Sequence, residues 1–292
     1  MHWKAHQSTT SYMYPDNPQM PKFVSIITGN YNHTGFVAQL IHRLYYMQDR
    51  LPENFEIIVS DTGSSLRHQE AMFGLLEATQ GKVKIKYVMH DMNYLRKDTP
   101  HFHGWSFCIN AALRVADGDI IVYCDSSILI PENFIYLLAA PHVNQDKLFV
   151  RCTTYNFSEK ETAQSLRENW YRLPWKDLFE RLSKKKTSLG RSGWSVQRKE
   201  LLAIRGADER FTHYGCHDDD MIMRLMMNGC KNMMGATSAI HQHHKEDRDS
   251  SDKYNETILK KNVFQRRIVT NNVTFGRYDW VKMNWRENEE DS

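Results

Sequence analysis

Three consecutive aspartates, Asp218 to Asp220, directly follow His217 in the sequence. Like charges held within about 4–6 Å raise one another's pKa, so keeping three carboxylates together is costly. A carboxylate with a raised pKa suits a general base that takes a proton from a hydroxyl group. The structural alternative is an acidic first helical turn, favoured by the helix dipole, with Asp220 paired to Arg224.

Other polar groups follow short apolar segments that have the composition of buried strands. They are the turn at Asn30 and Tyr31, Asp61, and Asp125, which follow residues 22–28, 55–60 and 120–124, respectively. Helical patterns lie between these segments, and the alternation predicts a mostly parallel sheet with helices on both faces. Ligands of such sheets bind beyond the carboxyl ends of the strands, so these groups are expected to share one site.

Composition is that of an ordinary globular protein. The chain has 292 residues, 41% hydrophobic and 25% charged, and its net charge of +3 does not indicate a dense nucleic-acid surface. No apolar segment approaches the ~20 residues of a membrane span, and residues 1–21 lack the apolar core of a signal peptide. Five scattered cysteines suit reduced thiols. We therefore expect a cytoplasmic protein without an integral membrane segment.

Several short motifs, by their order and spacing, resemble those of glycosyltransferase family 2 enzymes with the GT-A fold. They lie at residues 24–32, 56–65, 110–113, 116–121, 124–127, 130–134, 206–211, 217–220 and 239–242. The latter part looks most like the chondroitin-polymerase and β-1,4-galactosyltransferase branch. The resemblance implies a Rossmann-like, mostly parallel central sheet with helices on both faces and a smaller acceptor-side subdomain.

The resemblance also implies a domain plan. Residues 1–21 would be an N-terminal extension, and residues 22–248 the GT-A glycosyltransferase domain. Its nucleotide-binding half would run to about residue 135, and its acceptor half would begin after about residue 190. Residues 249–292 would form a C-terminal helix and tail.

A nucleotide-sugar donor needs its base held and its diphosphate neutralised. By the resemblance, Asp61 hydrogen-bonds the nucleobase beside the turn formed by Thr28, Asn30 and Tyr31. The alternative for Asp61 is a local Asx-turn into Gly63.

Asp125 occupies the first position of the family's metal motif, which implies Mn²⁺ or Mg²⁺ on the diphosphate. Ser127 stands where the motif has its second aspartate, and a neutral hydroxyl is a weaker ligand. His241 occupies the place of the family's histidine ligand. Two alternatives stay open: Asp125 could cap a turn, and His241 with His243 and His244 could form a zinc site or a polar loop.

For the transfer step, Asp218 matches the family's catalytic base, with Asp219 as the neighbouring alternative. Trp194 would line the donor-sugar or acceptor pocket, where a ring suits the face of a pyranose, or else it is a core residue. Residues 184–190, which contain three adjacent lysines, would form a mobile lid or an acceptor contact, or else a solvated loop.

The expected function is thus an inverting glycosyltransferase that moves a sugar from a nucleotide-diphosphate donor, with UDP favoured, to an acceptor hydroxyl. The acceptor could be a saccharide, a lipid, a protein or a modified nucleobase. The alternatives are a nucleotidyltransferase-like relative and a catalytically inactive module that binds a nucleotide sugar or a glycan. The sequence leaves the oligomeric state open.

Overall fold

Four parallel strands form the half of the sheet that carries the predicted nucleotide site. They are β1 (Phe23–Asn30), β2 (Asn54–Asp61), β3 (Ile85–Met89) and β4 (Ile120–Cys124), and they lie in the order β3-β2-β1-β4. The computed structural model describes residues 19–99, 102–183, 187–188, 191–244 and 252–285. Because these four strands run in one direction, their carboxyl ends meet at one edge of the sheet.

Helices cover both faces of this parallel half. They are α1 (Thr34–Tyr46), α2 (Leu66–Thr79), α3 (Asn93–Asp98) and α4 (Trp105–Val115). Apolar side chains of α1 and α2, such as Leu40 and Met72, pack with Ile26 and Ile57 on one face. Apolar side chains of α4 pack with Ile27 and Ile58 on the other. Successive strand residues point to opposite faces, so each strand feeds two cores.

The second half of the chain extends the sheet with strands of mixed direction. It contains β5 (Ile128–Leu129), α5 (Phe134–Ala139), α6 (Pro141–Asn144), β6 (Leu148–Asn156), α7 (Glu159–Arg167), α8 (Trp175–Glu180), β7 (Thr187–Ser188), β8 (Gly193–Gln197), α9 (Arg198–Ala203), α10 (His217–Met227), β9 (Lys231–His241), α11 (Asp252–Phe264) and β10 (Trp280–Met283). The sheet order is β10-β3-β2-β1-β4-β8-β6-β9-β5, and β7 pairs with β6. The expected α/β fold, with helices around a central sheet, is confirmed.

Two segments differ from their sequence patterns. Residues 161–183 have a helical pattern, and the structure divides this segment into α7, a 3₁₀ turn at Trp170–Arg172 and the short α8. Asn169 has a left-handed backbone (φ 54°) and Pro174 lacks a backbone N–H, so the helix is interrupted twice. The polar C-terminal segment supplies β10, which pairs antiparallel with β3.

In the described part of the chain, no helix combines the length and the apolar character that crossing a bilayer requires.

Candidate active site

A cavity of about 340 Å³ opens at the carboxyl edge of the parallel strands. Its wall is formed by residues 29–33 after β1, Thr62 after β2, Arg96 of α3, residues 102–105 and Cys108 at the start of α4, Tyr123, Asp125 and Ser126 of β4 and its turn, Tyr214, and His244. The cavity therefore lies where the strand pattern predicts a ligand site.

Asp61 is fully buried behind this cavity and shapes the turn beneath it. Its Oδ1 accepts hydrogen bonds from the backbone N–H groups of Gly63 (2.9 Å) and Ser64 (2.7 Å). Its Oδ2 accepts from Asn30 Nδ2 (2.7 Å) and the hydroxyl of Tyr87 (2.8 Å). The bond from the Gly63 N–H is the one that the Asx-turn alternative predicts. The four bonds use the acceptor sites of a carboxylate, so Asp61 holds Asn30, which lines the cavity, in place.

Arg96 is the prominent cavity residue that sequence reasoning missed. Its guanidinium carbon lies 3.6 Å from the centre of the Tyr31 ring and 5.2 Å from that of Phe102. It also donates to the backbone oxygen of Thr62 and, at 3.0 Å, to the Thr62 hydroxyl. A guanidinium stacked on aromatic rings and tied to a backbone turn is pre-organised for an anion or a flat ring.

Thr28 and Trp194, two of the predicted binding residues, do not line this cavity. Thr28 is 2% exposed within β1, and Trp194 is 1% exposed on β8. The Trp194 ring stacks on Tyr123, with ring centres 5.1 Å apart. Tyr123 lines the cavity, so Trp194 supports the cavity wall from the hydrophobic core. This buried position corresponds to the alternative in which Trp194 is a core residue.

Asp125 follows β4 at the cavity floor. Its Oδ1 accepts from the backbone N–H (3.1 Å) and the hydroxyl (2.9 Å) of Ser127, which is fully buried. Burial acts to raise the pKa of Asp125, but nearby His241, the bonds from Ser127, and His244 lower it below its ordinary value. Asp125 is therefore an anion at neutral pH. The Ser127 hydroxyl donates its hydrogen bond to this carboxylate and so orients it.

Three histidines surround Asp125. His241 reaches it because β9 pairs with β5, which places His241 opposite Ile128. The His244 ring lies 5.1 Å from that of His241 and 4.7 Å from that of His33. Burial, followed by His244, lowers the pKa of His33 to about 4, so this ring is neutral at neutral pH.

Asp125 and His241 are the side chains of this group that suit a divalent metal ion. Among the described residues, no group of three or more His, Cys, Asp and Glu side chains converges closely enough to do so alone. Asp125 and His241 offer one carboxylate and one imidazole. Mg²⁺ characteristically binds through one or two carboxylates with substrate phosphates completing its shell. The pair therefore fits a cation of this kind that arrives with a diphosphate.

The three consecutive aspartates occupy three different environments. Asp218 lies 3.2 Å from His217 Nε2, with 15% of its side chain exposed. Asp219 pairs with Arg191 Nη2 at 2.9 Å, with 39% of its side chain exposed. Asp220 is buried and pairs with Arg224 at 2.7 Å, as the helical alternative predicts. Asp220 is therefore structural, whereas Asp218 and Asp219 remain accessible.

Burial raises the pKa of two of these aspartates, Asp219 and Asp220. Burial raises the pKa of Asp219; Arg191 opposes this effect, and Asp218 adds to it. Burial and then the charges of Asp125 and Asp218 raise the pKa of the Tyr123 hydroxyl. Tyr123 is connected to the start of α10 through Trp105: Trp105 Nε1 donates to the Tyr123 hydroxyl at 3.0 Å, and the Trp105 ring centre lies 4.7 Å from that of His217.

The C-terminal helix α11 positions one wall of the cavity, which local sequence patterns do not indicate. Asn255 Nδ2 donates to the backbone oxygens of His213 and Gly215, both at 2.7 Å. These bonds hold the loop that carries Tyr214 into the cavity wall. The only sequence signal is an asparagine on a helix, which has no specific meaning until the helix is docked.

The predicted lysine-rich lid falls mostly outside the described residues, which include only the short strand β7 from that segment. Of the alternative zinc site, His241, His243 and His244 are among the described residues, whereas Glu246 and Asp247, the acidic residues that follow them in the sequence, are not.

Comparisons with known proteins agree with this architecture. The sequence profile described as "Glycosyl transferase family 2" matches residues 25–203, more than half of the chain. No curated protein sequence matches the chain.

Solved structures share the fold at low sequence identity. One is the mannosyltransferase PcManGT from Pyrobaculum calidifontis in complex with GDP-Man and Mn²⁺: identity 16%, coverage 89% of this chain and 66% of that chain, TM-score 0.53. Another is GalNAc-T7 with UDP, GalNAc and Mn²⁺: identity 13%, coverage 85% and 48%, TM-score 0.52. The chain thus spans about two thirds of the first protein and about half of the second.

Proposed function

The chain belongs to glycosyl transferase family 2, and from this premise we propose that it transfers a sugar, with inversion, from a nucleotide-diphosphate donor to an acceptor hydroxyl. A UDP-sugar is the first donor to test. The observation that carries the proposal is that Arg96, Tyr31 and Asp125 line one cavity, with Arg96 stacked on Tyr31. Asp218 is not among the lining residues, but it lies 3.2 Å from His217, whose ring packs on the lining residues His103 and Trp105.

The donor's nucleoside diphosphate would lie between Tyr31 and Asp125. Arg96 carries positive charge into the cavity wall, and charge-assisted bonds to phosphate oxygens are about twice as strong as neutral ones. Two other nearby cations in the sequence, Lys97 and Arg191, do not line the cavity, and Arg191 is paired with Asp219. Arg96 is therefore the residue proposed to contact the diphosphate or the base.

Asp125 and His241 would hold a divalent cation, Mn²⁺ or Mg²⁺. When bound, the cation would neutralise charge on the leaving diphosphate. The part played by Ser127 is to orient Asp125 through its hydroxyl and backbone N–H.

Asp218 would act as the base. It would take the proton from the acceptor hydroxyl while that oxygen forms a bond to the anomeric carbon, and the bond from that carbon to the diphosphate oxygen would break with its electron pair. General-base assistance of this kind contributes about 10²–10⁴-fold to rate. Asp219 is the alternative base, but its oxygens are engaged by Arg191 (2.9 and 3.0 Å).

A second candidate is a binding module that holds a nucleotide sugar without transferring it. The observation that favours it is Ser127, since a hydroxyl committed to Asp125 leaves one carboxylate where the motif has two. This candidate predicts donor binding without release of nucleoside diphosphate.

The test is a panel of nucleotide sugars in thermal unfolding with Mn²⁺, followed by transfer assays with the donors that bind. A donor at 100 times its Kd adds about 2.7 kcal/mol, which is roughly 5 °C for a chain of this size. NMR of the anomeric proton in the product would report inversion or retention. Retained configuration would refute the inverting mechanism, binding without turnover would support the module, and no stabilisation by any donor would refute both.

A further inference from the structure

His217, the first residue of α10, lies next to the proposed base. Its Nε2 atom is 3.2 Å from Asp218 Oδ2, and its side chain is 7% exposed. A carboxylate accepts hydrogen bonds but cannot donate them when ionised, so the proton of a neutral His217 belongs on Nε2. The other nitrogen, Nδ1, is buried and has no hydrogen-bond partner among the described residues.

Aromatic packing fixes the plane of the His217 ring. It stacks on His103, with ring centres 4.9 Å apart and planes inclined by 23°. The ring centres of His217 and Trp105 are 4.7 Å apart. Trp105 Nε1 in turn donates a hydrogen bond to the Tyr123 hydroxyl at 3.0 Å. Rings locked in this way hold Nε2 in a constant direction, towards Asp218.

The titratable groups around His217 are few and have identifiable charges. Asp218 and Asp219 are on its own helix, Tyr214 is on the preceding loop (ring centres 6.2 Å apart), and His103 is on the segment before α4. Burial, followed by His217, lowers the pKa of His103 to about 3, so His103 stays neutral. The charge next to Asp218 in this stack therefore changes when His217 gains or loses its proton.

We propose that His217 is a positioning residue. Its imidazole orients the Asp218 carboxylate, and the protonation state of that imidazole sets the strength of Asp218 as a base. Neutral His217 holds the Asp218 carboxylate through Nε2–H. Protonated His217 places a positive charge against Asp218, which stabilises the ionised carboxylate and weakens its pull on the acceptor proton. Activity is then lost when the imidazole gains its proton. The inference rests on the proposed function.

Two substitutions distinguish the orientation of Asp218 by His217 from the effect of His217 protonation. His217→Gln keeps an N–H donor but cannot take up a proton. Its kcat at pH 8 should stay within about threefold of wild type, and the acidic limb of its pH–rate profile should move to lower pH by at least one unit. His217→Ala also loses the donor, so kcat should fall at least tenfold at pH 8, which corresponds to about 1.4 kcal/mol of activation free energy. Donor KM should change in neither variant.

His42→Gln is the matched control, because this histidine packs on Tyr46 and Tyr171, away from the cavity. Its pH profile should match that of wild type. An unchanged acidic limb in His217→Gln, or a full-rate His217→Ala, would overturn the inference.

A second measurement needs no turnover. ¹⁵N NMR of histidine-labelled protein at pH 8 should show His217 protonated on Nε2 and not on Nδ1. The reverse tautomer would overturn the inference even in an active enzyme. If wild type binds donors but transfers nothing, the proposed function fails, while the tautomer still reports on the His217–Asp218 contact.

Discussion

Replacing Asp220 with asparagine is expected to destabilise the fold by about 3–5 kcal/mol, although Asp220 is adjacent to the proposed base. Asp220 is 1% exposed, and its Oδ2 lies 2.7 Å from Arg224 Nε. Its Oδ1 accepts a hydrogen bond from Asn262 of α11 at 2.6 Å. The substitution leaves the guanidinium of Arg224, which is fully buried, without its counter-ion.

The hydrogen bonds that Arg224 keeps in Asp220→Asn limit the loss of stability. Arg224 Nη1 still donates to the backbone oxygens of Ile204 (3.1 Å) and Gly206 (2.8 Å), so its charge keeps some stabilisation. With about 2 °C per kcal/mol for a chain of this size, the midpoint of thermal unfolding should fall by roughly 6–10 °C. Asp219→Asn is the matched control. Its partner Arg191 is 46% exposed, and exposed pairs contribute about 0–1 kcal/mol.

Thermal and urea unfolding of the two variants would measure this difference. Arg224→Met, alone and with Asp220→Asn, completes a double-mutant cycle, and the double variant should lose less stability than the sum of the single variants. A midpoint for Asp220→Asn within 1 °C of wild type would refute the reasoning, as would additive losses in the cycle.

Three further predictions concern the proposed donor binding and transfer. Asp218→Asn should keep donor affinity and lose about 10²–10⁴-fold in kcat, because only proton removal is lost; full activity here with an inactive Asp219→Asn would move the base by one residue. Asp125→Ala and His241→Ala should weaken donor binding in Mn²⁺, measured by calorimetry, and have little further effect in chelator; equal wild-type turnover in both conditions would indicate a metal-independent enzyme. Arg96→Lys keeps the charge but loses the stack on the cavity wall, so donor Kd should rise about tenfold or more; an unchanged Kd would remove Arg96 from the binding site.

Local sequence patterns were sufficient for the α/β class and for the edge at which the cavity opens. Strand segments such as residues 120–124 are short, apolar and β-branched, and alternating strands and helices can pack in few ways. The i, i+4 spacing also predicted the pair between Asp220 and Arg224, because both partners lie on one helix.

Only the tertiary structure assigned different environments to residues with similar sequence signals. Asp219 pairs with Arg191, Asp218 lies next to the His217 ring, and Arg96 stacks on Tyr31. The periodicity of the sequence does not predict the side-chain positions that make these contacts. The docking of α11, which brings Asn262 to Asp220, likewise depends on residues 42 positions apart. Contacts between distant segments arise from the packing of whole elements, so a local pattern can place a residue at an edge of the sheet but cannot choose its partner.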